Sequence, residues 1–384
     1  MIYSETVTDA TFEPERINLS NREPTLRELL VWVGLSCVLF DVAASVLNGW
    51  HTLVFNYGDN LAYLQEAQAI RHWDFHGLGV QHFMGYPYAI AAVSLIFHLP
   101  LDFTLSLVAG LASLVSTLIV ARLFGAWVAA YFAFTNLAWL QLSFLGGSEP
   151  LAVALGLAAF WSFRRDHALR AALLASLATT VRPLMFAALV GIGIALLLQK
   201  RYAKFLAALG IGVATGLLYA WPLARYFGDP LLTVHSYTSR DYGGAGATGP
   251  HGHLFAWPFQ GIIVGTLAYP APWTNLLESF VWIALVLLGT LAMFRSGYRQ
   301  YARAHPAEAI FAGLFIYAIF SYDYVIWARS AFMRFSIPAM PFVFFALPRW
   351  LPKDRRILLP LATLATLLAV CSAVGIKNVF HFLR

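Results

Sequence analysis

Long apolar runs separated by short polar stretches fill the chain from Leu29 onward. They lie near 29–47, 103–121, 126–145, 150–163, 171–181, 184–198, 203–226, 276–294, 308–327, 332–347 and 357–376. A shorter run, 86–99, sits between Pro87 and Pro100. A helix that crosses the hydrocarbon core needs about 20 apolar residues, or a few less. The pattern therefore predicts an all-α polytopic membrane helix bundle of about eleven transmembrane helices, with interfacial or re-entrant helices in the first outer loop.

The basic residues orient these spans, because cytoplasmic loops collect Lys and Arg. With the N-terminus inside, alternate connections carry Arg122; Arg164, Arg165 and Arg170; Lys200, Arg201 and Lys204; Arg295, Arg299 and Arg303; and Arg349, Lys353, Arg355 and Arg356. Arg16, Arg22 and Arg27 join them at the N-terminus, which leaves eight of the 25 basic residues elsewhere. The asymmetry holds only if 86–99 does not cross. The expected layout is a cytoplasmic segment 1–28, one transmembrane domain 29–376 with outer loops 49–102 and 227–275, and an external tail 377–384. Within the first loop, Leu61, Leu64, Ala67 and Ile70 have the spacing of a helix lying along the interface. The second contains GGAGATGPHGH, whose glycines and proline cannot hold a regular element; it reads as a mobile loop beside a site or as a plain connector. The first 27 residues are polar and of mixed charge, so no cleavable signal peptide is expected.

Composition narrows the class. Sixty per cent of the 384 residues are apolar and 11% are charged, against about 25% charged in a soluble protein. This excludes a disordered chain, a secreted disulfide scaffold and an ordinary cytosolic enzyme. The net charge of +6 is spread in small groups between apolar runs and makes no nucleic-acid surface. Cys37 and Cys371 both lie inside apolar runs, so no disulfide framework is implied. Arginine outnumbers lysine 21 to 4, which points towards a GC-rich genome and a bacterial inner membrane.

The chemistry sits in ionisable groups at the outer ends of spans, where charge is costly and marks function by default. Asp59, directly after the first span, reads either as a helix N-cap or as a carboxylate that takes a proton from an acceptor hydroxyl. In HFMGYPYAIA, Gly85 and Pro87 turn the chain, and His82, Tyr86 and Tyr88 would line the rim as amphipathic anchors. Ser148, Glu149 and Pro150 form an ordinary helix start, or bring a second carboxylate towards Asp59. Arg182 before Pro183 either snorkels to headgroups or offers its fork of donors to phosphate. Arg334 requires an anionic partner, either Asp323 or a lipid phosphate, with Arg329 close by in sequence. His235, Arg240 and Asp241 add to the second outer loop; His251 and His253 lack a third ligand at diagnostic spacing for a metal. There is no GxxxxGK[ST], G-x-S-x-G or HExxH.

The order of these features resembles the GT-C superfamily of polytopic glycosyltransferases. The likeness rests on Tyr57-Gly58-Asp59, the GYP segment at 85–87, Gly147-Ser148-Glu149, the Arg182-Pro183 break and RFSIPAMP at 334–341, which together span roughly 57–345. It is similar to the mannosyltransferase-like branches in particular. The resemblance implies a hexose, mannose among them, passed with inversion from a polyprenyl- or dolichyl-phosphate donor to a hydroxyl of a glycan, lipid or peptide at the outer membrane face, periplasmic or exterior. By it, Asp59 is the general base and Glu149 shapes the acceptor pocket or helps hold a divalent cation, Mg or Mn. Arg182, Arg240, Arg329 and Arg334 neutralise the phosphate, with His82 and Tyr86 also on the substrate. Two departures matter. Asn60 stands where many relatives carry a second acid, which argues against an obligatory metal. The large soluble domain and tryptophan-rich motif of oligosaccharyltransferases are missing, which argues against protein glycosylation. The alternative class is a lipid or solute transporter or flippase, which would place charges at mid-membrane on broken helices; Asp41 is the one acid well inside a run.

Overall fold

Thr25 starts the first helix, because its hydroxyl accepts the Glu28 amide at 3.2 Å while the Glu28 carboxylate takes the Thr25 amide at 2.6 Å. This reciprocal cap satisfies two donors that a helix start leaves orphaned. The computed structural model describes residues 22–49, 54, 58–76, 78–80, 82–238, 255–268, 273–322, 332–348 and 350–373. In chain order the helices are α1 (Leu26–Asn48), α2 (Asn60–His72), α3 (Gly85–Phe97), α4 (Leu101–Phe124), α5 (Ala126–Thr135), α6 (Leu137–Leu145), α7 (Ser148–Arg164), α8 (Ala168–Val181) and α9 (Phe186–Leu198). They continue with α10 (Tyr202–Phe227), α11 (Leu232–Thr238), α12 (Gln260–Ala268), α13 (Trp273–Met293), α14 (Ser296–Ala304), α15 (Pro306–Ser321), α16 (Phe332–Ser336), α17 (Met340–Ala346) and α18 (Arg355–Ala373). Among the described residues no strand forms; one isolated bridge joins Phe255 and Tyr322. The protein is an all-α bundle of apolar helices.

As far as the described residues reach, each expected apolar run falls on a helix or on a helix pair; 323–327 and 374–376 lie outside them. α4, α10 and α18 are long and apolar enough to cross a membrane by themselves. α10 buries only Ala208, Pro222 and Leu223 and turns Leu206, Leu209, Val213, Leu217, Leu218 and Trp221 outward. An apolar helix with its large side chains exposed has hydrocarbon rather than water as its outer solvent. The run 126–145 departs from the expected single span: it breaks by 77° between α5 and α6. Asn136 causes the break. Its backbone is extended and its side-chain oxygen accepts the Trp139 amide at 2.9 Å, so it caps α6. The pair still traverses the bundle. Ala126 at one end donates to Glu23 at 3.1 Å, and Leu145 at the other accepts from Asn60 at 2.9 Å.

The short run 86–99 becomes α3, whose first turn meets the second turn of α4 through a 2.6 Å bond from the Tyr86 hydroxyl to the Leu105 carbonyl. Both helices thus begin at the same end of the bundle, as a non-crossing α3 requires. Gly85 is needed where α3 approaches α8, since a Cβ there would stand 2.6 Å from the Thr180 backbone. The interfacial helix of the first loop is present as α2, but its buried face differs from the expected apolar stripe. Asn60, Tyr63, Leu64, Glu66, Ala67 and Ile70 are buried, and Leu61 is exposed. Polar groups on this helix face inward.

Two ends of the bundle can be told apart chemically. Glu149 and Arg164 lie at opposite ends of α7, about 22 Å apart at 1.5 Å per residue. At the Arg164 end, Glu308 grips that arginine at 2.6 and 2.7 Å. Arg355 of α18 holds Glu28 of α1 with two 3.0 Å bonds, and Asp166 takes Arg201 and Lys204. The Glu149 end contains the cluster described next.

Candidate functional site

Pro183 breaks the α8–α9 line and holds Arg182 extended, at φ −142° and ψ 119°, as a residue before proline prefers. The arginine can then turn in towards the first turn of α7. There Glu149, 2% exposed, accepts from Arg182 and from the Nε of Arg334 on one carboxylate oxygen. Arg334 is 9% exposed and sends a second donor, Nη2, to Asp59 at 2.7 Å. Four groups separated by up to 275 positions therefore form one chain of ion pairs: Arg182–Glu149–Arg334–Asp59. The Phe335 ring lies near both guanidinium carbons, at 5.6 and 5.8 Å. This arrangement favours cations.

Of the two carboxylates, Asp59 leaves its expected capping role, while Glu149 keeps its place in the first turn of α7. Asp59 occupies the N-cap position of α2 but makes no side-chain cap, and Gly147 rather than Ser148 caps α7. Ser148 instead bonds the Tyr63 hydroxyl at 3.0 Å. The surrounding frame explains the precision of the cluster. Asn60 donates to the Val54 and Leu145 carbonyls, both at 2.9 Å. The Gly147 amide donates to the Tyr86 hydroxyl at 3.3 Å. Gly146, at φ +103°, makes a turn that L side chains rarely adopt. Tyr86 is thus a fully buried support for this turn, which corrects its expected place at the rim.

Two cavities meet at Arg334. The larger, about 670 Å³, is walled mainly by apolar side chains, among them Phe186, Val190, Leu314, Phe315, Phe335 and Pro338. Its charged lining is Glu149, Arg182 and Arg334. The smaller, about 10 Å³, is lined by Gly58, Asp59, Asn60, Tyr63, Leu142, Gly146, Gly147 and Arg334. That is room for about one water. Among the charged groups, Arg334 alone lines both of these cavities.

His82 stands behind Asp59, with Nε2 3.6 Å from Oδ1, and its ring packs on Tyr63 at 4.8 Å between centroids. Burial pushes the Asp59 carboxyl upward in pKa, but the adjacent Arg334 guanidinium outweighs it, helped by His82 and Arg182. The net result is an acid held well below the usual carboxylate range, although its side chain keeps 34% exposure.

Asp59, Glu149, Arg182, Arg334 and His82 are therefore brought together. Arg240 and Arg329 lie outside the described residues, as do Asp323, Asp241, His251 and His253. The anionic partners of Arg334 are Asp59 and Glu149. His235 is instead an exposed partner of Asp229, at 2.7 Å. Among the described residues no group of three or more His, Cys, Asp or Glu is arranged for a metal. The place between Asp59 and Glu149 is filled by a guanidinium, so this donor set does not fit a divalent cation. Glu66, 1% exposed, is the residue that the sequence reading missed: it accepts the His82 amide at 3.2 Å. The available signal was an acid on the same helical face as Tyr63 and Ile70.

No protein-family profile matches the sequence, and no curated protein sequence does. Among solved structures, the chain is similar to the crystal structure of ArnT from Cupriavidus metallidurans bound to undecaprenyl phosphate, at 15% identity and a TM-score of 0.49, over 94% of this chain and 67% of that one.

Proposed function

We propose that this chain is a membrane glycosyltransferase of the GT-C type that moves a hexosyl group from a polyprenyl- or dolichyl-phosphate carrier to an acceptor hydroxyl. One observation carries the reading: a single guanidinium, Arg334, is shared between a large apolar cavity with a cationic lining and a small polar pocket holding a carboxylate. An isoprenoid tail suits the apolar walls. Its phosphate suits the forks of Arg182 and Arg334, and a hydroxyl suits Asp59.

In this reading the acceptor oxygen attacks the anomeric carbon from the side opposite the phosphate. The bond from that carbon to the phosphate oxygen breaks, the electron pair stays on the leaving phosphate, and Asp59 takes the hydroxyl proton. Arg182 and Arg334 stabilise the developing negative charge; losing one such donor typically costs about 2.7–4 kcal/mol. A phosphate at Arg334 also competes with Asp59 for that cation. The carboxylate it releases is a better base than the paired one.

The purified protein in vesicles should release polyprenyl phosphate from labelled polyprenyl-phosphate mannose or glucose and pass the label to an added acceptor. Movement of the intact sugar lipid across the bilayer with no released phosphate would favour the transporter reading and overturn this one. The basic end of the bundle supports a cytoplasmic assignment for Arg164 and a non-cytoplasmic one for the site, in a bacterial inner membrane. In a background with Cys37 and Cys371 replaced by serine, Ser239→Cys should react with an impermeant thiol reagent from outside intact cells and His167→Cys should not. The reverse labelling would invert the sidedness.

A further inference from the structure

The basic end of the bundle pairs several of its cations with its own acids. Arg164 goes to Glu308, Arg355 to Glu28, and Arg201 and Lys204 to Asp166. α14 is different. Arg295 at its start, Arg299 and Arg303 are all exposed, and none of the three guanidiniums has an ion-pair or hydrogen-bond partner among the described residues. The sequence has no Asp or Glu between Glu278 and Glu308, and Arg164 occupies both oxygens of Glu308. A spacing of four sets the three arginines on one arc about 80° wide, in a row about 12 Å long. A different face of α14 is fixed to the bundle: the Tyr298 and Tyr301 rings pack on Phe345 of α17 at 6.4 and 4.7 Å, and the Tyr301 hydroxyl bonds Glu308 of α15. α13 and the corner after it expose Leu288, Leu291 and Phe294, a surface suited to hydrocarbon. Arg295 follows directly, and the chain turns by 78°. The lipid-facing apolar side chains therefore end where the arginine row begins, and α14 lies across the end of the bundle at headgroup depth.

We propose that α14 is a docking surface for anionic phospholipid, with the guanidiniums of Arg295, Arg299 and Arg303 on headgroup phosphates of the leaflet at the basic end. Phe294 reaches into the acyl chains beneath them. A guanidinium fork matches phosphate oxygens, and the long apolar stems let the charged heads reach the headgroups from a helix fixed to the bundle. No acid on α14 opposes a negative headgroup. A zwitterionic headgroup carries its own cation, so the row selects lipids of net negative charge. Each arginine near such a surface strengthens binding about fivefold. A basic loop orients a span whatever its shape, whereas a row held on one helix face makes a local site.

The test uses the full chain in mixed nanodiscs of phosphatidylcholine and phosphatidylglycerol. Each lipid in turn carries a photoreactive group beside its headgroup, and crosslinks are located on chymotryptic peptides by mass spectrometry. In wild type, phosphatidylglycerol should crosslink to 294–304 about tenfold more than phosphatidylcholine, given the gain per arginine, and the preference should fall several-fold in high salt. Replacing the row together, as Arg295→Gln, Arg299→Gln and Arg303→Gln, should bring the ratio to within about twofold of unity with the thermal midpoint unchanged. Lysine at the same three positions should keep most of the preference. A charge-matched control, Arg170→Gln, Lys200→Gln and Arg356→Gln, removes three other exposed cations of the same end. It should leave the ratio at 294–304 within about twofold of wild type. Equal crosslinking by the two lipids in wild type overturns the proposal, as does a preference that salt does not move. A glutamine variant that keeps the wild-type ratio also overturns it. So does a control that loses as much as the glutamine variant, which would make the attraction a property of the whole basic end. None of these outcomes bears on the transfer reaction, which is read separately as released polyprenyl phosphate.

Discussion

Arg164 and Arg334 are both arginines paired with nearly buried glutamates, yet their surroundings differ. At Arg164, Glu308 spends both oxygens on the guanidinium, the Tyr301 hydroxyl joins the same carboxylate, and a further donor reaches the Leu123 carbonyl at 3.4 Å. The Phe124 and Tyr301 rings lie near the Arg164 guanidinium carbon, at 5.9 and 5.7 Å, and Phe345 packs on both rings. That pair fastens α4, α7, α14 and α15 at the basic end. At Arg334 the donors are divided between two acids, one oxygen of Glu149 has no hydrogen-bond partner, and cavities adjoin the guanidinium on two sides. A buried polar group left short of partners is costly. The space beside Arg334 suits the ligand proposed above, whereas the pair at the other end has no cavity beside it among those described.

The sharpest way to break this comparison is to neutralise one acid at each end. Asp59→Asn keeps the shape and leaves Arg334 its bond to Glu149, so the protein should insert and purify normally while sugar transfer falls by about 10³-fold or more, a general base contributing 10²–10⁴. Transfer within a few-fold of wild type would remove Asp59 as base. Glu308→Gln should behave in the opposite way. Removing one partner of a buried pair costs about 3–5 kcal/mol, read as a lower thermal midpoint, while the protein that stays folded should transfer sugar within about twofold of wild type. A Glu308→Gln protein that is stable but inactive would erase the distinction between the two ends.

The sequence made the bundle legible because hydrocarbon imposes a length and a composition on every crossing segment. The members of the ion chain were legible for a related reason, since an acid or arginine beside an apolar run stands out where few charges exist. Their pairing was not, because Arg334 was expected to face Asp323 or a lipid phosphate and instead bonds Asp59 and Glu149. Three further features were hidden. Asn136 lies inside a run that is apolar on both sides, and the bend it causes depends on its own side chain capping α6. α14, bent by 78° from the end of α13, carries arginines that read as an ordinary basic loop, although Tyr298 and Tyr301 pack inward from it. Glu66 sits on a helix whose apolar positions alone suggested a surface element. Its place on the face of Tyr63 and Ile70 was the local signal for burial, but its bond from the His82 amide, beyond the end of the helix, is one that no local pattern connects to it.

A substitution that keeps the charge sharpens the contrast further. Arg334→Lys preserves one positive charge but loses the fork that reaches both Glu149 and Asp59. Transfer should fall by about 10²-fold, close to the loss of one charge-stabilising donor, with a smaller change in thermal midpoint than Glu308→Gln produces. Equal activity in the lysine variant would mean that the two acids need only a point charge between them.

The smallest effect concerns acid stability. Asp59 has a folded pKa below its unfolded one, which is near 3.9, because Arg334 favours the ionised form. Its contribution to stability is therefore complete above the unfolded value and is lost as pH falls through the folded one. Asp166, held low by Lys204 and then Arg201 on the exposed turn between α7 and α8, follows the same sign, but water and salt screen it. Thermal midpoints measured from pH 7 down to pH 3 should fall less steeply at the acid end for Asp59→Asn than for wild type, and Asp166→Asn should track wild type more closely, above all in high salt. The difference between the two aspartates isolates what enclosure adds to an ion pair. If Asp166→Asn flattened the acid limb as much as Asp59→Asn, the Arg334 pair would be acting as an ordinary surface contact, and the site end would lose its electrostatic distinction from the rest of the molecule.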